Sequence, residues 1–539
     1  MNRREILRHL SAIPLVSALP HDTLSRKLQG KEGSLNEAVE AGENIYDTIG
    51  VETIINCRGT FTILGGSVER PEVSKAMEAA TGYFVQYDEL AYGIGKRLAE
   101  ITQTEWGMIS AGCAAGLKHV TAACVTGGNP EKLILIPNLA GFEKTEVIIP
   151  RRSRNVYDHA IRNIGITVVT VETPEELASA INDRTAMIYI VTGPSNEEGE
   201  PLSLEAIAEI AKPKGIPILA DAAAEDLTIP PVHLARGATI VAYSGGKAIC
   251  GPQCAGLLFG DKDILMAAWQ ASAPHHGPGR DNKVGKEEML GMLAAVEAWT
   301  KRDHQAEWNR WLSWLDLIDK KLTAIDGVTS EITQPRGLSN HAPVLHVKWN
   351  ADKFGFSGED VAEEVARNKP RIAIGSRSRD DMTSINITPN QMQPGNAEVV
   401  AERLHKILSE KKLKSKKLNP ATATLSGHWN LEIEYFTSKS HHSLFLNQDG
   451  NWITGKHATD YGLVDIIGML DGDDLKMKSN FRKPGDGVAF LFTGKATDSK
   501  LNGSILLGEY LTAKFTATRT EYENEKKPIF IPGGPPLAT

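Results

Sequence analysis

A single lysine at the end of an apolar run could carry covalent chemistry. Residues 241–243 have the composition of a buried strand, and Ser-Gly-Gly-Lys follows them and ends at Lys247. Glycines let the backbone turn sharply there and let a ligand approach closely. A lysine confined among small residues loses hydration, which lowers its pKa and makes the neutral amine a nucleophile toward an aldehyde. Taken alone, the motif also suits an ordinary surface turn.

A carboxylate follows the preceding apolar run. Residues 216–220 have the pattern of another buried strand, which ends at Asp221. A lone aspartate after a strand is also a common helix cap. Together, however, Lys247 and Asp221 match the needs of pyridoxal phosphate, which takes a Schiff-base lysine and an acidic partner for its pyridine nitrogen.

A third motif, further upstream, is a candidate phosphate cradle. Ser-Ala-Gly-Cys-Ala-Ala-Gly occupies residues 110–116 and opens a helical stretch. Small residues at a helix N-terminus leave backbone N–H groups and the positive end of the helix dipole facing an anion. A closely packed helix start would need the same residues. Cradle, then carboxylate, then lysine is the chain order of the aspartate-aminotransferase type of cofactor fold, fold type I.

Residues 54–408 resemble the selenocysteine synthase-like family of pyridoxal phosphate enzymes, in the branch that includes the glucosaminate-6-phosphate ammonia-lyases. The resemblance rests mainly on the Ser-Gly-Gly-Lys-Ala-Ile-Cys-Gly-Pro-Gln turn, on Arg-Asp-Asn-Lys-Val-Gly-Lys-Glu-Glu and on Ala-Asp-Ala-Ala-Ala-Glu-Asp-Leu. It implies that Lys247 carries the cofactor and that Asp221 faces its ring nitrogen. The other residues that it places at the cofactor are Gly112, Cys113, Ala114, Ser195, Asn196, Ser244 and Gln253.

One position separates two branches of that family. Selenium-transferring members have an acidic residue just before the lysine, whereas this chain has Gly246. The Gly-Gly-Lys form looks like the lyase-type branch. We therefore expect a pyridoxal phosphate-dependent lyase acting on a small amino acid or amino sugar acid. Lys247 would remove the Cα proton, and β-elimination would release ammonia, or a nucleophile would add in a β-replacement.

Three residues are candidates for the substrate side of the site. His276 and Arg280 lie in a loop that could bind or protonate a substrate. Arg371 lies where relatives place a residue near the substrate carboxylate, a role that suits a bidentate guanidinium. A plain surface loop and a structural ion pair are the competing interpretations.

Two other function classes stay open. A pyridoxal phosphate-dependent aminotransferase or racemase would share every cofactor residue, because the outcome after proton removal depends on substrate-side groups. A non-catalytic ligand-binding protein, with its function in the C-terminal β domain, is the alternative of another class.

Charge and composition limit the partners. The formal net charge of −8 disfavours nucleic acid, and no stretch approaches the roughly 20 apolar residues that span a bilayer. We expect a small-molecule amine substrate, no nucleic acid and no membrane span. The resemblance also implies a homo-oligomer, a dimer or larger.

Cysteines and histidines do not form a metal pattern. Cys250 and Cys254 lie beside the lysine, but no second pair or nearby histidine cluster completes a tetrahedral site. His441 and His442 raise the same question, and a solvated turn is the simpler interpretation. We expect no metal ion.

The N-terminus is typical of a twin-arginine export signal. Arg3 and Arg4 precede the mostly apolar residues 10–19, and residues 16–18 offer a cleavage site. A cofactor inserted in the cytoplasm requires export of the folded protein, which this route provides. We expect a periplasmic or secreted enzyme; an amphipathic N-terminal helix of a cytoplasmic protein is the alternative.

The chain is 41% apolar and 23% charged, as expected of a globular protein. Alternating strand and helix patterns, with residues 133–137 counted as a strand, predict an α/β fold with a mostly parallel sheet and a small α+β C-terminal portion. Period-two patterns near the end predict a separate antiparallel β barrel or sandwich. The predicted segments are an export signal (1–20), a large cofactor domain (35–326), a small domain (327–413), a linker (414–425) and a β domain (426–525).

Overall fold

A computed structural model describes residues 44–379, 382–410, 418–483, 486–508 and 510–521. The predicted export signal, residues 1–20, and the first residues of the predicted linker, 414–417, lie outside the described residues.

Two compact units interleave along the chain. One contains Gly59–Arg310 and Gln334–Pro343, and is called the large unit below. The other contains, among the described residues, those up to Arg58, Trp311–Thr333 and those from Val344 onwards. Each unit thus draws on more than one of the segments predicted from the sequence.

Helices and strands are mixed along the chain up to Ser409, and the described residues after it form strands without helices. The strands in chain order are β1 (Ile55–Asn56), β2 (Trp106–Ser110), β3 (Glu146–Pro150), β4 (Thr167–Val171), β5 (Thr185–Val191), β6 (Ile218–Asp221), β7 (Ile240–Ser244), β8 (Gly256–Gly260), β9 (Thr329–Thr333), β10 (Val344–Asn350), β11 (Ile372–Ala373), β12 (Gly375–Arg379), β13 (Met382–Ile387), β14 (Gly427–Glu434), β15 (Lys439–Asp449), β16 (Trp452–Ala458), β17 (Leu463–Asp471), β18 (Asp474–Lys483), β19 (Asp486–Ala496), β20 (Lys500–Leu506) and β21 (Thr512–Thr520). The α-helices are Pro71–Thr81, Tyr87–Thr102, Cys113–Thr126, Pro130–Leu133, His159–Arg162, Pro174–Ala180, Pro194–Glu197, Leu204–Ala211, Val232–Ala235, Lys262–Gln270, Lys286–Lys301, His304–Thr323, Ala351–Phe354, Gly358–Arg367 and Asn396–Ser409.

The large unit is built on a seven-stranded sheet in the order β2-β8-β7-β6-β5-β3-β4. Four of its six neighbouring pairs are parallel, and β8 runs antiparallel to both β2 and β7. Every residue of β2, β3, β6 and β8 is buried. Continuous apolar runs of this kind form strands that are covered on both faces. The predicted α/β fold with a mostly parallel sheet is confirmed.

Strand direction brings the motifs to one edge of this sheet. Asp221 ends β6 and pairs with Ala242 of β7, whose last residue is Ser244. Gly256, the first residue of β8, pairs with Ser244 on one side and with Ser110, the last residue of β2, on the other. The carboxyl ends of β2, β6 and β7 therefore meet at the edge where such sheets bind their ligands.

The strand expected at residues 133–137 is wrong. Leu133 ends the short helix Pro130–Leu133, and turns follow it. Asn129 caps that helix by accepting a hydrogen bond from the Glu131 amide, and Pro130 occupies its first turn. The Leu133 and Ile134 amides donate to carbonyls within this segment, so the apolar run does not pair with the sheet.

The helix Cys113–Thr126 follows β2 and is buried along most of its length. A helix that is apolar nearly all round belongs to the interior of a protein or of a membrane. Here it packs against buried strands of the large unit. No helix among the described residues is long and apolar enough to cross a membrane.

The other unit contains a smaller α+β part. Strands β12, β13, β10 and β9 form an antiparallel sheet, and β1 pairs with β11 in parallel. Its apolar core is separate from that of the large unit and includes Cys57, Leu315, Trp349, Ile385 and Leu404.

The C-terminal β domain is a closed barrel of eight antiparallel strands, β14 to β21, in which β21 pairs with β14. Inward-facing residues alternate with outward-facing ones, as at Trp429, Leu431 and Ile433 of β14. Closure leaves no unpaired sheet edge. The predicted antiparallel β domain is confirmed, and it is a barrel.

The solvated turn predicted for His442 is wrong. His442 lies in β15 with a buried side chain, because the period-two pattern that includes Leu444 and Leu446 extends back to it. Its Nδ1 lies 2.8 Å from Nε2 of His457, whose Nδ1 lies 2.7 Å from the Ser479 hydroxyl. Among the described residues, no group of three or more His, Cys, Asp or Glu side chains could hold a metal ion.

Candidate active site

Asp221 presents a buried carboxylate at the end of β6. Its Oδ2 accepts a hydrogen bond of 2.8 Å from the Tyr189 hydroxyl, and its Oδ1 accepts one of 3.0 Å from the Ala223 amide. The Cys113 thiol lies 3.8 Å from Oδ1. Burial raises the pKa of the Asp221 carboxyl, while Tyr189, Ala223 and the positive charge of Lys247 act in the opposite direction. A buried anion of this kind favours a cation as its partner.

Lys247 lies in the turn that follows β7 and is half-buried. Its positive charge acts on the carboxyl of Asp221 and on the thiol of Cys113, in both cases lowering the pKa. The net pKa of Cys113 is nevertheless well above its usual value, chiefly because the thiol is buried. Lys247, Asp221 and Cys113 thus lie within electrostatic reach of one another.

Glycines before the lysine allow a close backbone approach. A Cβ atom on Gly246 would lie 2.6 Å from Cα of Gln253 and 3.1 Å from its Cβ. The carbonyl of Gly246 accepts a hydrogen bond of 3.0 Å from the Ser67 amide. Gly246 is therefore in contact with Gln253 and hydrogen-bonded to Ser67, and any side chain at this position would displace the backbone of Gln253.

The helix Cys113–Thr126 begins at this edge of the sheet. Gly112 is its N-cap, with a φ of 86° that disfavours other residue types. The space that a Cβ atom on Gly112 would enter is open, whereas Gly256 packs so closely that a Cβ atom on it would lie 2.5 Å from the Cys113 amide nitrogen. The backbone from Gly112 to Ala114 is a helix N-terminus of the kind that binds phosphate.

These features fit pyridoxal phosphate. A buried carboxylate suits a protonated ring nitrogen, a lysine amine suits an aldehyde, and a helix N-terminus suits a phosphate. In this arrangement Asp221, Lys247 and the backbone of Gly112, Cys113 and Ala114 would hold the cofactor.

The other predicted cofactor residues lie around the same sheet edge. Ser244 is the last residue of β7 and is half-buried. Gln253 lies beside Gly246, and its Nε2 is 3.4 Å from the Thr62 carbonyl. Ser195 and Asn196 lie in the short helix after β5; Ser195 is exposed, and Nδ2 of Asn196 donates to the Thr192 carbonyl over 3.3 Å.

The substrate-side candidates have different surroundings. His276 and Arg280 are exposed in the loop before the helix Lys286–Lys301. Lys118 anchors that loop, because its Nζ lies 2.7 Å from Oδ1 of Asp281 and 2.8 Å from Oδ1 of Asn282.

Arg371 belongs to the other compact unit. Its Nε donates to the Ala366 carbonyl over 2.7 Å, and one terminal nitrogen lies 3.5 Å from the Glu52 carbonyl. Two of its donors are therefore used within that unit, and its substrate role stays a prediction.

A set of buried polar residues beside Asp221 was not predicted from the sequence. Tyr189 of β5 is fully buried and holds the carboxylate directly. The Thr192 hydroxyl lies 3.1 Å from the Asp221 carbonyl and 2.6 Å from Oε1 of Glu225, whose Oε2 lies 2.6 Å from Nε2 of His233. The available signal was a tyrosine within the otherwise apolar run of β5, together with the glutamate in Ala-Asp-Ala-Ala-Ala-Glu.

Comparisons with known proteins agree with this geometry. A family model described as Aminotransferase class-V matches residues 152–279. The chain is 30% identical over 376 residues to D-glucosaminate-6-phosphate ammonia lyase of Salmonella typhimurium. The matched residues make up 68% of this chain and 98% of that relative. The chain belongs to the selenocysteine synthase-like family of pyridoxal phosphate-dependent enzymes. The predicted family and enzyme class are confirmed.

Other relatives show how varied the chemistry around this fold is. The chain is 28% identical to 5'-C-glycyluridine monooxygenase-decarboxylase of a Streptomyces species, over 67% of this chain and 92% of that protein. It is 27% identical to L-seryl-tRNA(Sec) selenium transferase of Mannheimia succiniciproducens, over 50% of this chain and 58% of that protein. A solved structure of D-glucosaminate-6-phosphate ammonia-lyase matches with a TM-score of 0.61 and 28% identity, covering 69% of this chain and all of that one.

Replacing Asp221 by asparagine should stabilise the protein without its cofactor. The raised pKa means that the folded protein holds this proton more tightly than the unfolded chain does. Its stability therefore falls as the pH rises above the unfolded value of about 3.9. Asp221→Asn removes that loss, and the Tyr189 hydroxyl can accept from the new amide.

Urea unfolding of the cofactor-free proteins tests this expectation. The free energy of unfolding of Asp221→Asn should exceed that of the unsubstituted protein at neutral pH, and the difference should shrink as the pH approaches 4. The exposed Asp465, which pairs with Lys456, provides a control: Asp465→Asn should show no such pH-dependent gain. A less stable Asp221→Asn protein at neutral pH would contradict the account of the carboxylate.

Proposed function

We propose that this chain is a pyridoxal phosphate-dependent ammonia lyase that acts on a small amino acid or amino sugar acid. It would remove the Cα proton, eliminate a β-substituent and release ammonia. The convergence of Asp221, Lys247 and the helix start at Gly112 on one edge of the sheet carries this proposal.

Each of these residues has a distinct task. Pyridoxal phosphate, when bound, supplies an electron sink for the negative charge that develops at Cα. Lys247 would take the proton from Cα as a general base, since its amine is tethered in a turn and cannot diffuse away. Asp221 would keep the ring nitrogen protonated, because the attraction between opposite charges is stronger where water is excluded.

The products follow from a balanced elimination. A 2-amino acid with a 3-hydroxyl group loses water across Cα and Cβ. The resulting enamine tautomerises to an imine, and one water then hydrolyses the imine to ammonia and a 2-oxo acid. The relative named as an ammonia lyase of D-glucosaminate 6-phosphate supports a substrate of this class.

The packing around Gly246 favours the lyase over selenium transfer. An acidic side chain at this position would meet Cα of Gln253 at 2.6 Å, which is too close for any Cβ atom. The acidic residue found in selenium-transferring relatives therefore has no room before Lys247 in this structure.

Lys247→Ala tests the covalent role of the lysine. When the variant is treated with pyridoxal phosphate and then borohydride, no cofactor should become fixed to it. It should also lack the visible absorption of the lysine-attached cofactor, and its turnover should fall by at least about a hundredfold. Lys75→Ala, which removes an exposed lysine in the helix Pro71–Thr81, should leave all three properties unchanged.

A substrate panel completes the test of the reaction. D-glucosaminate 6-phosphate and small 3-hydroxy-2-amino acids should give ammonia and a 2-oxo acid in equal amounts, without an amino acceptor and without oxygen uptake. A need for a 2-oxo acid acceptor would show an aminotransferase, and inversion without ammonia a racemase. Oxygen uptake with loss of carbon dioxide would show chemistry like that named for the Streptomyces relative. Any of these results would overturn the proposed lyase.

We further propose that the enzyme is exported by the twin-arginine route and works as a homo-oligomer. Arg3 and Arg4 before an apolar run support the first point, and the family resemblance supports the second. Fractionated cells should hold the protein outside the inner membrane, and replacing both arginines by lysine should retain it in the cytoplasm. Export of the double-lysine variant would contradict the proposed route.

The oligomeric state has its own test. Light scattering should give at least twice the mass of one chain, and a monomeric mass would contradict the proposed homo-oligomer.

A further inference from the structure

The backbone that follows Lys247 adopts a constrained turn. The Cys250 amide donates to the Lys247 carbonyl over 3.0 Å, and Gly251 donates to Gly245 over 2.9 Å. Cys250 has a φ of 59°, a left-handed conformation that is uncommon for residues other than glycine. A turn of this kind persists only when its surroundings hold it, and the lysine occupies its first half.

Arg302 holds the middle of this turn. One terminal nitrogen of its guanidinium donates to the Ala248 carbonyl over 3.2 Å, and the other donates to the Ile249 carbonyl over 3.0 Å. These are the two residues directly after Lys247. A guanidinium is a planar fork of donors, so it can satisfy two consecutive carbonyls at once and fix their orientation.

Arg302 is itself fixed in place. It follows the helix Lys286–Lys301, and its side chain is only 9% exposed. Its guanidinium carbon lies 4.7 Å from the centre of the Trp299 ring, and the indole nitrogen of Trp299 donates to the Leu227 carbonyl over 2.8 Å. Oε2 of Glu307 lies 3.9 Å from Nε of Arg302. The fork therefore has little freedom to follow a moving turn.

We propose that Arg302 is a positioning residue that aims the amine of Lys247 by clamping the two carbonyls after it. This inference rests on the proposed function, because it concerns the lysine that the cofactor would use. Arg302 would touch neither cofactor nor substrate. Its effect would pass through the Ala248 and Ile249 backbone, where a displacement of about 1 Å can slow a reaction roughly a hundredfold.

The rate of cofactor attachment gives a readout that does not depend on turnover. Cofactor-free Arg302→Ala protein is mixed with pyridoxal phosphate, and the visible absorption of the lysine-attached cofactor is followed. We expect attachment about ten to a hundred times slower than in the unsubstituted protein. Arg97→Ala is the matched control, because Arg97 pairs with Glu297 and Glu100 on the surface; its rate should be unchanged.

Guanidinium in solution should rescue the Arg302→Ala protein. Arg302 lines a cavity of about 320 Å³, together with Arg70, Glu297 and Lys301, and we expect a small cation to enter the vacated position from this cavity. Guanidinium chloride, far below denaturing concentrations, should restore much of the attachment rate, and ammonium chloride at equal ionic strength should not. Ammonium cannot present two parallel N–H groups to the carbonyls.

Arg302→Lys guards against a folding defect in the alanine variant. Lysine keeps the charge and a long apolar stem, but its ammonium lacks the fork. It should melt close to the unsubstituted protein and still attach the cofactor slowly. Normal attachment rates in both Arg302 variants would overturn the inference, and so would a slow Arg302→Ala protein that melts early and does not respond to guanidinium. If the unsubstituted protein attached no cofactor, the proposed function would fail and this inference with it.

Discussion

The Asp221 carboxylate lies where water is largely excluded, and the other groups of the site are arranged around its negative charge. A buried ion without a partner destabilises a protein by about 3–5 kcal/mol. Tyr189 and the Ala223 amide hydrogen-bond to the two oxygens, and the Lys247 charge favours the ionised form, yet burial still raises the pKa of the carboxyl. The protein thus keeps an anion under-neutralised at a sheet edge, where a protonated ring nitrogen would complete its surroundings. The ionised carboxylate lowers the stability of the cofactor-free protein, and the same carboxylate provides the partner for a protonated ring nitrogen.

Sheet topology supplies the geometry that this charge needs. Because β8 runs antiparallel to β2 and β7, Gly256 lies between Ser110 and Ser244, and the cradle and the lysine turn start from the two strands that flank β8. Close packing then restricts the residue types. Gly246 lies against Gln253, and Gly256 lies against the first amide of the cradle helix, so side chains at either position would displace one of the two motifs. The glycines around Lys247 are therefore packing requirements as well as turn formers.

The parts of the site that could be predicted are local in sequence. Lys247, Asp221 and the segment from Gly112 each follow an apolar strand, so chain order and strand ends were enough to place them on one sheet edge. The partners of Tyr189 and Arg302 could not be predicted. A tyrosine within the apolar run of β5 signals a buried polar group but not the neighbour that it faces, and Arg302 reaches the lysine turn from a distant helix end. His442 was assigned to a solvated turn, although the period-two pattern of Leu444 and Leu446 extends back to it and places its side chain inside the barrel. The misread strand at residues 133–137 shows that a capped helix start can outweigh an apolar run.

The central claim is that this lysine, paired with this carboxylate, carries the cofactor. Peptide mapping by mass spectrometry, after pyridoxal phosphate is added to the full chain and fixed with borohydride, tests it most directly. The account predicts a pyridoxyl group on Lys247 at close to one per chain, and loss of that label when the cofactor is supplied as its alcohol, which has no aldehyde. A label spread over surface lysines, or fixed at another single lysine, would contradict it.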